Sequence, residues 1–598
     1  MRVCDFVAKF IHDIGINDVF MVSGGGLMYL TDGLACNEDL NVICCHHEQA
    51  AAMAAVAYAK YLGNGCCYVT TGCGGTNTIT GVLNAWQDNT PCIFISGQCK
   101  RNETLQNVGI PTRQIGVQEA DIVKIVESIT KYSVMVNNAD EILYHLEKAA
   151  YIAKIGRPGP VWIDIPMDIQ SADVDIPNLK HFEKFELEPV KTEITPLELE
   201  QLIVDFNNSK RPIIIAGHGI RLANAIDAFD KLIHRHNIPF VCSRLGTDIL
   251  PTNDNLNIGR IGNKGMRSAN FALQNADYVL VLGSRLSVSS TGQEYSYFAR
   301  NAKVTVVDID KYEHLKNTVH IEQIINADVK DVLNKLSLNY QINYKNWADK
   351  CLSWKKKYPV CLKEYYEDSN GINLYAFMEE LSKCFREDSV LIGDAGSAVY
   401  VPPQGINTTT KHQRYITSGA QAEMGFSLPA AIGVVTARKN REVLAITGDG
   451  SLQMNIQELQ TIVHHNFNIK LFVWNNDGYL SIRATQNKFF NGRFIGTDNT
   501  SGVSFPNLKK IANAYGIKYV KIDSIGSIHK KISELMEYTG PVICEVMCIR
   551  DQLIIPTVSS KQLENGKLVS CPIEDMYPFL ERKEFNENMI ISTINPNP

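Results

Sequence analysis

The 598-residue chain lacks any apolar run near the roughly 20 residues that cross a bilayer. It also lacks a dominant charge, because 58 Lys and Arg residues oppose 64 Asp and Glu residues and leave a net charge of −6. A balance so close to neutral gives no reason to expect a nucleic acid or an anionic membrane as a partner. We therefore expect a protein that acts on small molecules, with neither nucleic acid nor membrane bound.

The 16 cysteines include no CxxC pair, which removes a common zinc-binding pattern. Several of them, such as Cys44, Cys45, Cys66 and Cys67, fall in or beside predicted strands. The N-terminal segment MRVCDFVAKFIHDIG predicts an amphipathic helix rather than a signal peptide. Reduced thiols and a cytoplasmic location are the resulting expectations.

Apolar runs alternate with helical patterns in three blocks, which predicts an α/β protein with three doubly wound parallel sheets. With 45% hydrophobic and 20% charged residues, the composition is that of a globular chain, and its length allows several domains. The predicted units are residues 1–174, a central domain at 195–337, a third domain at 366–550 and a C-terminal tail at 551–598.

The most informative segment is LAITGDGSLQMNIQELQTIVHHNFNIKLFVWNND, residues 444–477. Its two apolar runs predict parallel strands, and MNIQELQTIVHH between them predicts a helix. Asp449 and Asn476 then follow neighbouring strands at the edge where open α/β sheets bind ligands. Together with the Gly478 carbonyl they offer the oxygen ligands that Mg²⁺ prefers, and the flanking glycines let phosphate approach the backbone.

This arrangement, GDGS followed by NN 27 residues after Asp449, resembles the diphosphate-binding signature of thiamine-diphosphate enzymes. The resemblance implies thiamine diphosphate and Mg²⁺ as cofactors and names the three domains pyrimidine-binding, central and diphosphate-binding. Such enzymes need a carboxyl group beside the cofactor pyrimidine, a backbone acceptor for its amino group and a wedge that bends the cofactor. Each should be recognisable elsewhere in the chain.

The carboxyl group is expected at Glu48, in the first turn of a helix that follows the strand LNVICC. The segment HEQAAAMA resembles the HEQ-containing segment of acetolactate synthases, in which the glutamate contacts the pyrimidine. Without the downstream signature, Glu48 would be read as a favourable charge at a helix N-terminus. Because the role needs partial desolvation and a proton to share, we expect any histidine close to Glu48 to be neutral.

The acceptor and the wedge are expected in TSGAQAEMGFSLPAAIG, residues 417–433, which resembles the family segment TSGxxxxMGxxLPAAIG. By position Ala422 supplies the carbonyl and Met424 the wedge, a role that suits a bulky and adaptable apolar side chain. Upstream, IGDAGS (392–397) lies where the family holds the diphosphate with loop amides.

Three segments of the first domain extend the resemblance: VFMVSGGG (19–26), the stretch 70–98, and GVQEADIVKIVESITKYS (116–133). They imply Gln118 and Lys131 as catalytic residues beside Glu48. Cys73 stands where the family has proline, and Val117 where acetolactate synthases have phenylalanine.

The remaining site residues are implied by position within these motifs. The cofactor-binding set is Gly25, Thr71, Asn77, Gly396, Ser397, Ala422, Met424, Gly448, Gly450, Ser451, Asn476, Tyr479 and Leu480, the metal set is Asp449, Asn476 and Gly478, and the substrate-pocket set is Ser23, Gly24, Val117, Arg483 and Thr485.

Acetolactate synthases also carry FAD on the central domain. LGSRLSVSSTG (282–292) resembles their segment LGxRFxxRxTG and keeps Arg285, but it has serine in place of the second arginine. FAD is therefore a possible cofactor, and a plain structural domain is the alternative. In the family the cofactor lies between two subunits, which implies a homodimer or homotetramer with active sites at the interface.

The segment NNDGYLSIRATQ (475–486) resembles NNQYLGMVRQWQ of acetolactate synthases but has Thr485 at the place of the tryptophan that restricts the acceptor. This segment and the tail motif PIEDMYPFL resemble acetolactate synthase-like proteins of surface-polysaccharide biosynthesis. The implied activity is a carboligase or decarboxylase that takes pyruvate or a similar 2-oxo acid as donor. A carbonyl acceptor larger than pyruvate, such as a keto-sugar nucleotide, would receive the acyl unit.

Three alternatives stay open at this point. The first is acetolactate synthase proper, which makes acetolactate from pyruvate alone. The second is a lyase or hydrolase of a cyclic dione. The third, from another class, is a non-catalytic nucleotide-binding relative, which would lack a glutamate at the place of Glu48.

Overall fold

The computed structural model describes residues 1–339, 341–562 and 568–594. Its core consists of three six-stranded sheets, each with parallel strands throughout and helices on its faces. The prediction of three parallel-sheet α/β domains is confirmed. Within the described residues no helix combines the length and apolar character needed to span a membrane.

The first sheet has the strand order β2-β1-β3-β4-β6-β5. Its strands are β1 (Asp18–Met21), β2 (Asn41–Cys44), β3 (Cys66–Val69), β4 (Ile93–Gln98), β5 (Tyr132–Met135) and β6 (Val161–Pro166). Its helices are α1 (Val3–Asp13), α2 (Met28–Ala35), α3 (Glu48–Leu62), α4 (Cys73–Gln87), α5 (Leu105–Val108), α6 (Ile122–Val126), α7 (Ile142–Lys154) and α8 (Met167–Gln170). The predicted N-terminal amphipathic helix is α1, whose apolar face is buried.

The central sheet has the order β12-β11-β10-β7-β8-β9. Its strands are β7 (Pro212–Ala216), β8 (Phe240–Cys242), β9 (Asn257–Arg260), β10 (Tyr278–Leu282), β11 (Lys303–Asp308) and β12 (Gln323–Asn326). Its helices are α9 (Pro196–Asn208), α10 (Gly219–Leu222), α11 (Ile226–His236), α12 (Arg267–Gln274), α13 (Val288–Thr291), α14 (Val329–Lys335) and α15 (Lys345–Lys357). Helix α15 lies between the predicted central and third domains. It packs on α12, and its Trp347 and Trp354 side chains are buried.

The third sheet has the order β14-β13-β15-β16-β18-β17. Its strands are β13 (Val390–Ile392), β14 (Arg414–Ile416), β15 (Val443–Gly448), β16 (Ile469–Asn475), β17 (Lys518–Ile522) and β18 (Val542–Met547). Its helices are α16 (Leu374–Lys383), α17 (Ser397–Tyr400), α18 (Pro402–Gly405), α19 (Ser427–Ala437), α20 (Leu459–His464), α21 (Leu480–Phe490), α22 (Leu508–Tyr515) and α23 (Ile528–Met536). Because β15 and β16 are parallel neighbours, their carboxyl ends open at the same edge of the sheet.

The helix predicted over MNIQELQTIVHH is only partly formed, since two 3₁₀ turns precede the short α20. Two polar side chains in the turns are buried and bonded outside the segment. Asn455 donates to the Gly425 carbonyl, and the Glu458 carboxylate accepts the backbone N–H groups of His46 and His47 at 3.0 and 3.1 Å. Asn455 and Glu458 thus bond to other segments of the fold at the place where the predicted helix is interrupted. The apolar spacing alone did not predict this interruption.

The first and third domains of one chain pack through α3 and α19. Alanines cover α3, and a Cβ at Gly433 would overlap the Ala54 carbonyl, so this approach requires glycine. At the same boundary Lys60 pairs with Asp88 at 2.6 Å, both almost fully buried. The other Asp88 contacts are the N–H groups of Gly419 and Ala420, so the pair holds the start of the loop that carries Ala422.

The tail forms β19 (Thr557–Val558), β20 (Ser560–Gln562), β21 (Leu568–Ser570), β22 (Met576–Tyr577) and α24 (Arg582–Asn588). Its later part packs on the central domain, where Arg267 and Asn270 of α12 donate to the carbonyls of Met576 and Ile573. Its first part runs past the third domain, because Gln552 accepts from the Leu374 N–H. The tail therefore follows the junction of these two domains.

Candidate functional site

The Asp449 carboxylate lies in the turn after β15 and is 3% exposed. Its Oδ1 accepts the Gly450 N–H at 2.8 Å, and its Oδ2 accepts the Gly478 N–H at 3.0 Å across the strand ends. Burial raises the pKa of Asp449 to about 6, although these backbone donors oppose the shift. A desolvated carboxylate at this place is suited to a cation.

Asn476 lies at the matching end of β16 and gives separate support for a metal site. Its Oδ1 is buried and has no hydrogen-bond partner, an unfavourable state unless a ligand completes it. Gly478 has φ +133°, and a Cβ there would overlap the Thr497 carbonyl, so only glycine allows this turn. The donor set of one carboxylate, one amide oxygen and a backbone carbonyl fits Mg²⁺, which these three residues would hold.

The described residues contain no group of three or more His, Cys, Asp or Glu side chains arranged for a metal ion. The donors at Asp449 and Asn476 do not belong to such a group, since only one of them is a carboxylate.

Arg483 supports the metal loop from α21. It is buried, and its guanidinium donates to the Asn476 carbonyl at 2.9 Å, to the Asp477 carbonyl at 3.0 Å and to Asp551 at 2.9 Å. These contacts tie the arginine to the backbone beneath the loop and do not support its assignment to the substrate pocket. By contrast, Thr485, two residues later in α21, is exposed, and its hydroxyl donates to the Ser481 carbonyl.

The cofactor-binding residues predicted after β15 and β16 surround the same turn. A Cβ at Gly450 would overlap the Tyr479 ring, whereas one at Gly448 would meet no atom within 4 Å. Ser451 and Leu480 are buried, and each begins a helical turn beside Asp449. Open space at Gly448 leaves room for a phosphate group next to the carboxylate.

A buried carboxylate that the motifs did not single out, Asp394, joins three segments around this turn. It accepts N–H groups from Ala395 and Gly425 at 2.7 and 3.0 Å and the Thr447 hydroxyl at 2.8 Å. Burial raises its pKa. The predicted loop residues Gly396 (φ +60°) and Ser397 follow directly. Asp394 could have been found from the sequence, because it follows strand β13 in the same way as Asp449 follows strand β15.

Ala422 has φ +54°, a left-handed conformation that is costly for a residue other than glycine and is often found at functional sites. Its N–H donates to Ser418, and the next residue, Glu423, accepts from Asn84 of α4 at 2.6 Å. Met424 is 39% exposed, so it is not a core methionine. These hydrogen bonds hold one side of the loop, so the Ala422 carbonyl and the Met424 side chain remain accessible.

Asp449, Asn476, Gly478, Ala422 and Met424 are referred to below as the diphosphate half-site. Glu48, Asn77, Val117 and Gln118 form the corresponding pyrimidine half-site on the first domain.

Glu48 is the first residue of α3, as the sequence predicts, and its carboxylate is partly exposed. Its Oε2 accepts from Asn77 of α4 at 3.0 Å, so two predicted site residues meet. His47 caps the helix, with Nδ1 accepting the Gln49 N–H. The Nδ1 atom that accepts this hydrogen bond carries no proton.

The glycine turn after β1 lies against the turn after β3. A Cβ at Gly24 would overlap Thr70, and one at Gly26 would overlap Thr71, whose hydroxyl donates to the Gly97 carbonyl at 2.9 Å. Ser23 and Gly25 are exposed on the same turn.

Gln118 has φ +60°, and its carbonyl lies so close to Gly72 that a Cβ there would overlap it. Its side-chain amide approaches Cys73 Sγ at 3.9 Å. Val117 is 83% exposed. Lys131 is held elsewhere, because its Nζ donates to the Ile155 carbonyl at 2.6 Å, and burial lowers its pKa to about 8.

A second buried carboxyl group lies under this loop. Asp164 accepts from Ser96 at 2.5 Å and from Gln98 at 3.0 Å, and the Gln98 amide also donates to the Ala120 carbonyl. Burial raises the pKa of Asp164 to about 7. The residue supports the segment that carries Val117 and Gln118.

A cavity of about 830 Å³ lies at the carboxyl ends of the central strands and extends to the loop Gly419–Ala422. Arg285, Ser287, Ser289 and Asp308 are among its lining residues. The exposed guanidinium of Arg285 and the carboxylate of Asp308 could contact phosphate and ribose groups. Both the volume and these donors fit a dinucleotide such as FAD.

The comparisons with known proteins agree with this geometry. Three models of the thiamine pyrophosphate enzyme match the chain: the N-terminal TPP binding domain at residues 1–125, the central domain at 199–336 and the C-terminal TPP binding domain at 394–546. The third match begins at Asp394.

Similar proteins are acetolactate synthases. The chain is 32% identical to the acetolactate synthase large subunit of Lactococcus lactis, over 92% of this chain and 93% of that one. It is 29% identical to the isozyme 1 large subunit of Escherichia coli, over 93% and 95%, and 29% identical to the chloroplastic enzyme of Arabidopsis thaliana, over 93% and 82%.

Full-length coverage and all three domain matches lead to one conclusion. The chain belongs to the thiamine pyrophosphate enzyme family, as a thiamine-diphosphate-dependent enzyme of the acetolactate synthase type.

Proposed function

We propose that this enzyme is a Mg²⁺-dependent carboligase that takes pyruvate or a similar 2-oxo acid as donor. The acyl unit left after loss of carbon dioxide passes to a carbonyl acceptor larger than pyruvate, for which a keto-sugar nucleotide is the proposed class. The observation that carries the acceptor proposal is the pair Val117 and Thr485. Both are small and exposed where the family resemblance places large aromatic side chains.

The residues of the diphosphate half-site bind and orient the cofactor. Asp449, Asn476 and the Gly478 carbonyl would hold Mg²⁺, which would supply positive charge for the diphosphate. Thiamine diphosphate, when bound, would supply the carbanion chemistry that cleaves the bond between the carboxylate and the carbonyl carbon of the donor. Ala422 would offer its carbonyl to the cofactor amino group, and Met424 would serve as the apolar wedge against the cofactor.

Glu48 is proposed to hold and return the proton at the cofactor pyrimidine nitrogen. Asn77 fixes the position of its carboxylate, and His47 caps the helix by accepting the Gln49 N–H. Partial exposure of Glu48 in a single chain supports a homodimer or homotetramer, in which a second subunit would cover the carboxylate and complete the site.

Gln118 is proposed to contact the substrate, since it lies beside Cys73 at the mouth of the pyrimidine half-site. Lys131 donates to the Ile155 carbonyl in this structure, and its catalytic role stays a prediction. FAD in the central cavity is proposed as a second resident group, with Arg285 and Asp308 as its contacts.

Acetolactate synthase proper is the second candidate, because the similar proteins carry that name. Mass spectrometry of the reaction products distinguishes these two candidate activities. Pyruvate would be supplied alone and with a panel of aldehydes, oxo acids and keto-sugar nucleotides. We expect a preferred product from a larger acceptor. Efficient formation of acetolactate, with no preference for larger carbonyls, would overturn the proposal.

Thr485→Trp sharpens this test. A large ring at position 485 should block a bulky acceptor but leave decarboxylation of the donor largely intact, because the donor reacts before the acceptor arrives. Equal loss of both activities would instead assign residue 485 to the donor site. Thr500→Trp, on the loop after α21, serves as a matched control.

A further inference from the structure

One face of α4 carries a row of polar residues at helical spacing. Asn77, Thr80 and Asn84 follow one another at intervals of three and four residues, and Asp88 caps the helix four residues later. Residues at these intervals lie on the same side of a helix. At a rise of about 1.5 Å per residue, the row from Asn77 to Asp88 is roughly 16 Å long, which is enough to reach two separate parts of the fold.

The first end of the row meets the pyrimidine half-site. Asn77 donates to the Glu48 carboxylate at 3.0 Å, and the Thr80 hydroxyl accepts from the Gln49 amide at 3.4 Å. Glu48 and Gln49 are the first two residues of α3. This end of α4 therefore holds the start of the helix that carries the proposed proton relay.

The other end of the row meets residues 418–424, which are called the cofactor loop below. Asn84 donates to the Glu423 carboxylate at 2.6 Å, and Asp88 accepts two backbone N–H groups of the loop at 2.7 and 2.9 Å. The Asn84 side chain is fully buried, so water does not compete for its amide. This end of α4 therefore holds the loop against which the cofactor pyrimidine is expected to lie.

Glu423 lies between the two loop residues that are expected to contact the cofactor, Ala422 and Met424. Its other carboxylate oxygen accepts from the Ser418 hydroxyl, which in turn accepts the Ala422 N–H at 3.1 Å. Desolvation raises the pKa of Glu423, and the hydrogen bonds from Ser418 and Asn84 oppose that shift. The family segment TSGxxxxMGxxLPAAIG specifies no residue at position 423, so the family pattern does not assign a role to this carboxyl group.

These contacts all lie within one chain, whereas the proposed assembly builds each active site from two chains. In such an assembly, Glu48 of a chain belongs to one active site, and the cofactor loop of the same chain belongs to another. Helix α4 contacts both.

We propose that α4 positions groups of two active sites. Asn77 sets the Glu48 carboxylate of one site, and Asn84, through Glu423, sets the cofactor loop of the other. This inference rests on the proposed assembly of a complete site from two chains. Asn84 and Glu423 are positioning residues, because their side chains bond to each other and act on the cofactor through the loop backbone.

Hydrogen–deuterium exchange at C2 of the bound cofactor measures the positioning in each variant by itself, and calorimetry measures cofactor affinity. Asn84→Ala and Glu423→Ala should each slow the exchange by about tenfold, the effect of one buried hydrogen bond. Cofactor affinity should stay within about threefold, because the residues that would hold Mg²⁺ are untouched. The double variant should be no slower than either single one, since the two residues share one bond.

Two further variants serve as controls for the carboxyl group. Glu423→Gln should restore most of the exchange rate, because its amide oxygen still accepts from Asn84. Glu534→Ala, on an exposed side chain of α23, should behave as the wild type.

Mixed dimers of Glu48→Gln and Asp449→Ala chains show which site each end of α4 serves. Their intact site uses the cofactor loop of the Glu48→Gln chain and the Glu48 side chain of the other. Asn84→Ala should therefore slow the recovered reaction by about tenfold in the Glu48→Gln chain, and by no more than about twofold in the Asp449→Ala chain. Asn77→Ala should show the opposite pattern, because it acts on Glu48.

Three results would overturn the proposal. One is a wild-type exchange rate in Glu423→Ala, and another is an equal effect of Asn84→Ala in either chain of the mixed dimer. The third is a parallel loss of exchange, cofactor affinity and melting temperature, which would assign Asn84 to domain packing alone. Failure of the parent mixture to recover activity would instead refute the proposed assembly, and the exchange rates of the single variants would still decide whether Asn84 and Glu423 position the loop.

Discussion

The diphosphate half-site has its metal donors buried and in place, whereas the pyrimidine half-site is open to solvent. Asp449 is fixed by two backbone donors, and Asn476 Oδ1 lacks only a ligand. Glu48 has one side-chain hydrogen-bond partner, Asn77, and Val117 of the same half-site is 83% exposed. This difference supports the proposed assembly, in which one chain would hold the cofactor diphosphate and the surface of another would finish the reacting end.

The largest effect is expected from Asp449→Ala, which removes the carboxylate charge from the metal site. Cofactor binding should fall below detection, because the three residues that would hold Mg²⁺ lose their one carboxylate. Calorimetry with thiamine diphosphate and Mg²⁺ measures the loss. Undiminished affinity would contradict the assignment of the metal site, and Asp477→Ala, exposed on the same loop, is the control.

Glu48→Gln should impair the pyrimidine half-site and leave the diphosphate half-site intact. Cofactor binding should be kept, since the diphosphate contacts lie on the other domain, but the rate should fall by roughly 10²- to 10⁴-fold. Hydrogen–deuterium exchange at the C2 position of the bound cofactor reports on the proton relay without any substrate. A wild-type exchange rate would show that Glu48 is not the relay.

Gly448→Ala tests how closely phosphate approaches the backbone. A Cβ there meets no protein atom within 4 Å, so folding should be unaffected, yet it would enter the space left for the diphosphate. We expect an affinity for the cofactor lower by about tenfold, as for a modest steric conflict. Gly526→Ala, equally free of neighbours and exposed, should bind the cofactor normally. Normal binding by Gly448→Ala would place the diphosphate elsewhere.

Asp164→Asn tests the support under the pyrimidine half-site. Its folded-state pKa of about 7 lies above the ordinary value of about 4, so the folded protein retains a proton that the unfolded chain has lost. The stability contributed by this proton is complete below pH of about 4 and is lost as the pH rises through about 7.

The apparent melting temperature of the wild type, relative to Asp164→Asn, should therefore fall between pH 5 and pH 8. A small effect of a few degrees is expected for a chain of this size. Asp173→Asn, on a side chain that is 86% exposed, should show no such trend. A difference independent of pH would mean that Asp164 titrates normally.

The motifs predicted the sheets, the start of α3 at Glu48 and the meeting of the turns at Asp449 and Asn476, because each depends on local chemistry at a strand end. The contacts of Arg483 could not be predicted, since its partners, backbone carbonyls and the Asp551 carboxylate, are brought near by folding. Asp88 and Glu458 were missed for the same reason, because both accept N–H groups of distant segments and such contacts leave little local pattern in a single sequence. Asp394 was missed although its position after β13, like that of Asp449 after β15, was a signal in the sequence.

The central proposal is that a complete site combines the pyrimidine half-site of one chain with the diphosphate half-site of another. Mixing Glu48→Gln and Asp449→Ala chains after dissociation tests it most directly. Each variant alone should be nearly inactive, but half of the randomly formed dimers would be mixed and each would hold one intact site. We predict recovery of about one quarter of the wild-type activity. No recovery, with mixed dimers shown to form, would contradict the claim, because a site built within one chain stays damaged in both.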